Sequence, residues 1–104
     1  MSRGPDAGTL LVRALVAGAA RAGCPIEVEM AEMVRWASVT FTGARHALRV
    51  TVADSPALAG WLAALPEAEF ALRGHIVADI AVEQVERADG RAIVTIEALT
   101  VEEL

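Results

Sequence analysis

Apolar residues recur along the chain in two different periods, and the changes between them mark out its segments. "TLLVRALVAGAARAG" places Leu11, Ala14, Leu15 and Gly18 at helical spacing, with Arg13 and Arg21 off that stripe. Gly23 and Pro25 form a stop signal: glycine tolerates the left-handed conformation past a helix end, and proline cannot continue the helix. The pattern predicts a helix over 9–22, after a loose lead-in over 1–8, "MSRGPDAG". "PIEVEM" then alternates, with Ile26, Val28 and Met30 to one side and Glu27 and Glu29 to the other, as in a half-buried strand. Residues 31–34, "AEMV", fit either a plain turn or a turn of helix.

"RWASVTF" and "HALRVTV" are rich in β-branched and apolar residues and are separated by "TGAR". Gly43 can supply the positive φ of a type II′ turn, which predicts a two-residue loop at Gly43-Ala44. That register pairs Phe41 with His46, Val39 with Leu48 and Ala37 with Val50, and it gathers the core-like residues on one face. A second helix follows. Ser55 is its expected N-cap and Pro56 its first residue, where a missing N–H costs nothing. Leu58, Trp61, Leu62 and Leu65 make its buried stripe, and Pro66 ends it.

The last segment is a long alternating run, "FALRGHIVADIAVEQVE", then "RADGR", then "AIVTIEALTV". A three-residue loop, Ala88-Asp89-Gly90, would pair Arg87 with Arg91. Val82 then faces Ile96 and Ile80 faces Ala98 on one side; Val85 faces Ile93 and Val77 faces Val101 on the other. The order is α-β-β-β-α-β-β. Hairpin connections make the sheet mostly antiparallel, and two helices can cover one face of five strands. The expected fold is an α+β two-layer sandwich in a single domain over 1–104.

Composition adds a partner to this picture. Apolar residues make up 55% of a 104-residue chain. So small a domain has little interior to hide them in, which points to a homodimer or larger homo-oligomer. The net charge of −5 speaks against nucleic acid, whose phosphates need a basic face. One cysteine allows no internal disulfide and no thiolate metal site. No run approaches the roughly 18 apolar residues of a membrane span. The stretch behind Arg3 loosely imitates a secretory leader, but Arg13 interrupts it, so a cytoplasmic location is expected.

Candidate chemistry is sparse. Nucleotide-binding, zinc-protease and nucleophile-elbow motifs are missing, and neither a cofactor nor a metal site is expected. Histidine titrates near neutral pH, so His75 and His46 are the acid–base candidates, both weak. His75 and Asp79 on one strand lie about 13 Å apart, too far to bond, whereas the 87–91 register brings His75 to Glu103. Trp36, Ser38 and Arg49 could wall a pocket for a carboxylate, with Arg73 as a further ligand candidate. Their plainer reading is cross-strand neighbours of Glu27 and Glu29 on an exposed face.

The C-terminal hairpin is apolar on both sides. Val77, Val85, Ile93, Leu99 and Val101 fall on the side that the two helices cannot reach, and form the expected interface with a second copy. The functional expectation is a non-catalytic binding or assembly module. The alternative is a protein for small acidic ligands, or a modest acid–base enzyme, with its site at the dimer seam. A protein partner other than a second copy is left open by the sequence.

Overall fold

The computed structural model describes residues 5–103. Of the expected lead-in, residues 1–4 lie outside the described residues and the rest is already organised. Asp6 is the N-cap of α1 (Ala7–Arg21), and its carboxylate accepts the Thr9 N–H at 2.8 Å. At the other end Gly23 takes φ 85°. The Gly23 and Cys24 N–H groups then return to the carbonyls of Ala20 and Ala19 at 3.1 and 3.0 Å, closing the helix end as its Gly-x-Pro signal predicts. The chain continues through β1 (Ile26–Ala37), β2 (Thr42–Ala53), α2 (Pro56–Ala64), a short 3-10 turn over Leu65–Glu67, β3 (His75–Ala88) and β4 (Arg91–Glu102). Ser55 caps α2 and Pro56 opens it, as expected.

The fold is α+β, with two helices and an antiparallel sheet, but the described residues form four strands where the pattern suggested five. The strand read in "PIEVEM" and the first residues of the one read in "RWASVTF" belong to one strand, β1. Its register shifts between Val28 and Met30, so Glu29 is an extra, bulged residue. A bulge moves the alternation by one position, and this is why "AEMV" no longer looked like strand. The first hairpin is displaced as well. Met33, not Phe41, lies opposite His46, and Ala37 pairs with Thr42. The turn is Ser38 to Phe41: the Ser38 N–H donates to the Phe41 carbonyl at 2.7 Å, and the Ser38 hydroxyl accepts the Phe41 N–H at 3.0 Å. Val39 and Phe41, expected on the inner face, are exposed at this tip.

Gly43 therefore serves the strand and not the turn. A Cβ here would run into the Thr100 carbonyl oxygen and approach Trp36 Cζ2 to 2.7 Å. Glycine lets the backbone of β4 and the indole of Trp36 close on the same point.

The second hairpin closes more tightly than expected. Ala88 pairs with Arg91 across a two-residue turn, with Asp89 at φ 54° and Gly90 at φ 76°, as the left-handed central positions of a type I′ turn require. Bulges between Val77 and Asp79 and between Val82 and Gln84 then reset the register. Val82 still faces Ile96 and Ile80 still faces Ala98. Val85 meets Val94 and Val77 meets Thr100, both on the helix side and packed against the core. These two valines thus leave the outer face assigned to them, and Ile76, opposite Val101, is exposed there.

The sheet order is β1-β2-β4-β3. A helix followed by a hairpin occurs twice, and the two units meet through the antiparallel pair β2–β4, in which Leu48 faces Ile96. This is the arrangement of a pseudo-two-fold axis through the middle of the sheet. Leu11 and Leu15 of α1, Leu58 and Trp61 of α2, and Leu48, Val50, Val52, Val94 and Ile96 of the central strands form the core between helices and sheet. Each large aliphatic side chain taken fully out of water contributes about 1.5–3 kcal/mol. Strands of 12–14 residues reach ~40–46 Å, against ~22 Å for the 15 residues of α1. The molecule is accordingly long, 46 × 25 × 22 Å, and its helices stop short of the sheet ends. Among the described residues, no helix is long and apolar enough to cross a membrane.

Two glycine substitutions should act in opposite directions. Gly43→Ala is expected to lose about 2 kcal/mol or more in urea denaturation, because backbone must move. Gly60→Ala, inside α2 with open space at its Cβ, should gain about 0.5–1 kcal/mol.

Candidate functional site

The two histidines are 29 positions apart in sequence, yet the sheet brings them to one place. His46 on β2 points to the helix side. Its Nε2 lies 2.8 Å from Oγ1 of Thr100 on the neighbouring strand β4. His46 is 4% exposed and Thr100 is 0% exposed, so this is a buried polar pair at the margin of an otherwise apolar layer. His75 opens β3, opposite Glu102 and not Glu103, because the bulge at Ala78 shifts the register. Gly74 at φ 80° and the bond from the His75 N–H to the Leu72 carbonyl, 3.0 Å, set the turn that delivers it.

Around these side chains the end of the sheet opens into a cleft of about 570 Å3. His75, Thr100, Glu102 and Thr42 line one side, Arg35 and Trp36 line another, and Asp6 and Ala7 at the start of α1 close it. The Thr42 hydroxyl donates to the Glu102 carboxylate and fixes it on the rim. Asp6 and Met33 also border a second hollow of about 420 Å3, which runs beneath Thr9 and Val12 towards His46. The two hollows thus adjoin at Asp6 and Met33, beside the start of α1.

The cleft's charges have identifiable states. The Thr9 N–H and hydroxyl hold the Asp6 carboxyl below its ordinary 3.8, and the Arg35 guanidinium adds to this. Burial pushes His46 below the ordinary 6.5, against the pull of Asp6, and the nearby His75 pushes the same way. His46 is therefore neutral at pH 7, with one ring nitrogen donating and the other accepting. Two other ring nitrogens lack any partner: Trp36 Nε1 and His75 Nδ1 are both shut off from solvent and make no hydrogen bond. Both belong to residues that line the cleft.

His46 and Thr100 resemble a base beside a hydroxyl nucleophile. Thr100 is wholly buried, however, and no substrate reaches its oxygen. The pair cross-links β2 to β4 and holds the cleft floor. Among the described residues no cluster of three His, Cys, Asp or Glu side chains could hold a metal ion. Cys24 is buried at the end of α1, and burial raises its thiol pKa, which leaves it unreactive at neutral pH.

The four expected ligand residues do not share a site. Trp36 lines the cleft. Ser38 spends its hydroxyl within its own turn. Arg49 borders a shallow recess of the outer face with Glu29, Gln84, Glu86, Ile93 and Thr95, six residues along β2 from the Gly43 that Trp36 covers, or about 20 Å away. Arg73 is in the loop before β3, beside Phe70 and Glu103. Asp79, once grouped with His75, is exposed on the outer face. The sequence reading missed Asp6, Arg35, Thr42, Thr100 and Glu102. Thr100 alone carried a usable signal, a polar residue at a core position of an alternating strand.

A neutral buried histidine makes stability depend on pH. Because the folded pKa of His46 lies below the unfolded one, its contribution is complete above about 6.5 and is lost as pH falls through the interval below that value. The free energy of unfolding should therefore drop between pH 7.5 and 5.5. In His46→Gln, which keeps a hydrogen-bonding partner for Thr100 but does not titrate, the curve should be flatter over the same interval. Equal slopes in urea titrations of the two proteins would remove His46 as the cause.

No family model matches the chain, and comparison with characterised proteins and with solved structures finds no match.

Proposed function

We propose that the protein is a non-catalytic binding module that receives a small planar molecule in the cleft between α1 and the end of the sheet. One observation carries this reading: Trp36 Nε1 and His75 Nδ1, buried and unpartnered, belong to residues lining the same cleft. Leaving a polar group buried without a partner costs about 1–3 kcal/mol, so a ligand that supplies the partner recovers that cost. The indole offers a flat apolar surface and an N–H donor, and His75 offers a second hydrogen-bonding edge.

Charge selects among ligands. Arg35 shares the lining with two carboxylates, Asp6 and Glu102. A neutral ring system with hydrogen-bonding edges fits this balance better than the acidic ligand suggested by the arginines. The cleft is also lined within one copy of the chain and needs no seam to complete it.

The test uses the indole N–H itself. In 15N-labelled protein, adenine, nicotinamide and benzimidazole would be titrated while the two tryptophan side-chain signals are followed. A saturable shift at Trp36, with Trp61 unmoved and affinity lowered about five-fold in His75→Ala, is the expected result. Absence of any saturable shift at millimolar concentrations, or binding that is indifferent to His75→Ala, would sink the reading.

A further inference from the structure

We infer that the outer face of the sheet closes on the same face of a second copy, laying β2 of one chain across β4 of the other. Both helices pack on the opposite side, so among the described residues no element covers this face. It exposes Val34 (66%), Ile76 (53%) and Ile93 (38%), with Leu99 and Val101 half-buried beside them. Four strands of about 40 Å, spaced about 4.8 Å apart, present roughly 750 Å2, close to the ~800 Å2 that each partner contributes to a stable interface. The single chain also has more surface than its mass predicts: 6631 Å2 against about 5,600 Å2 for a compact monomer.

The edges of the sheet are poor alternatives. β1 carries its bulge at Glu29, and β3 carries bulges at Ala78 and Glu83. Bulged, charged edges resist the addition of another strand, which leaves the face as the place for a second copy.

The face is also complementary to itself. Arg45 and Arg49 stand exposed on β2, and Glu97 stands exposed on β4. Among the described residues the sole ion pair is Arg87 with Asp54, so these three charges are uncommitted within the chain. Arg45 lies level with Leu99, Ala47 with Glu97, and Arg49 with Thr95. A two-fold axis along the strands, between β2 and β4, superposes β2 of one copy on β4 of the other. Each Glu97 then falls between the levels of the other copy's Arg45 and Arg49, twice over by symmetry. None of the residues named for this face lines the cleft, so this inference stands independently of the proposed ligand.

The experiment is native mass by size-exclusion chromatography with light scattering. The wild-type chain should run at twice its 10.9 kDa. Arg49→Glu and Glu97→Arg, each alone, should dissociate at a concentration at least ten-fold higher than wild type, while circular dichroism shows both still folded. Mixed in equal amounts, the two variants should recover the dimer, because the reversed charges then meet between chains although they still clash within each chain. Wild type at 10.9 kDa throughout, single variants that dimerise like wild type, or a mixture that fails to recover would each overturn the inference.

Discussion

Pairing of β2 with β4 is the constraint on which everything else in this molecule depends. It joins the two helix-and-hairpin units, and it lines up Leu48, Val50, Val52, Ala92, Val94 and Ile96 as one apolar strip with almost no exposure. Neither hairpin alone could bury that strip, since an isolated pair of strands is marginal in water. Joined, they offer a surface broad enough for both helices. A truncation such as Leu48→Ala, at the centre of the seam, falls in the range of about 2–5 kcal/mol for buried leucines, a large part of the margin of a domain this size.

The same seam carries the polar chemistry at its end. His46 and Thr100 continue the apolar strip with a hydrogen bond across β2 and β4, placed near the start of α1. A buried polar pair specifies alignment better than another pair of valines would, because a slip of one residue would strand both groups without partners. Beyond this pair the lining turns mixed, with Asp6, Arg35, Trp36, His75 and Glu102. The two faces of the sheet thus differ in kind: one ends in a recess of mixed lining, and the other carries exposed apolar and charged side chains.

The legible parts of the sequence were those written in strict periodicity. Both helices, their caps at Ser55 and Gly23, and the antiparallel character of the sheet followed from local pattern. The count of strands did not, because the bulge at Glu29 breaks the alternation that a strand is recognised by. Bulges at Ala78 and Glu83 likewise moved Val77 and Val85 from the outer face to the core, and no local feature of "VADIAVEQ" announces them. Gly43 looked like a turn residue because glycine's usual service is conformational; here its service is steric, and that shows only when Thr100 and Trp36 are in place. The cleft was hidden for a related reason. Its residues come from α1, β1, β2, β3 and β4, so no window of sequence contains it.

The seam also sets the order in which the chain can assemble. The β3–β4 hairpin closes over two residues and the β1–β2 hairpin over a short turn, and loops of that length close in well under a microsecond. Docking β2 onto β4 instead brings together segments separated by an entire helix and strand, so its entropy must be spent before its contacts form. The rate of folding is then governed by the meeting of two half-formed units.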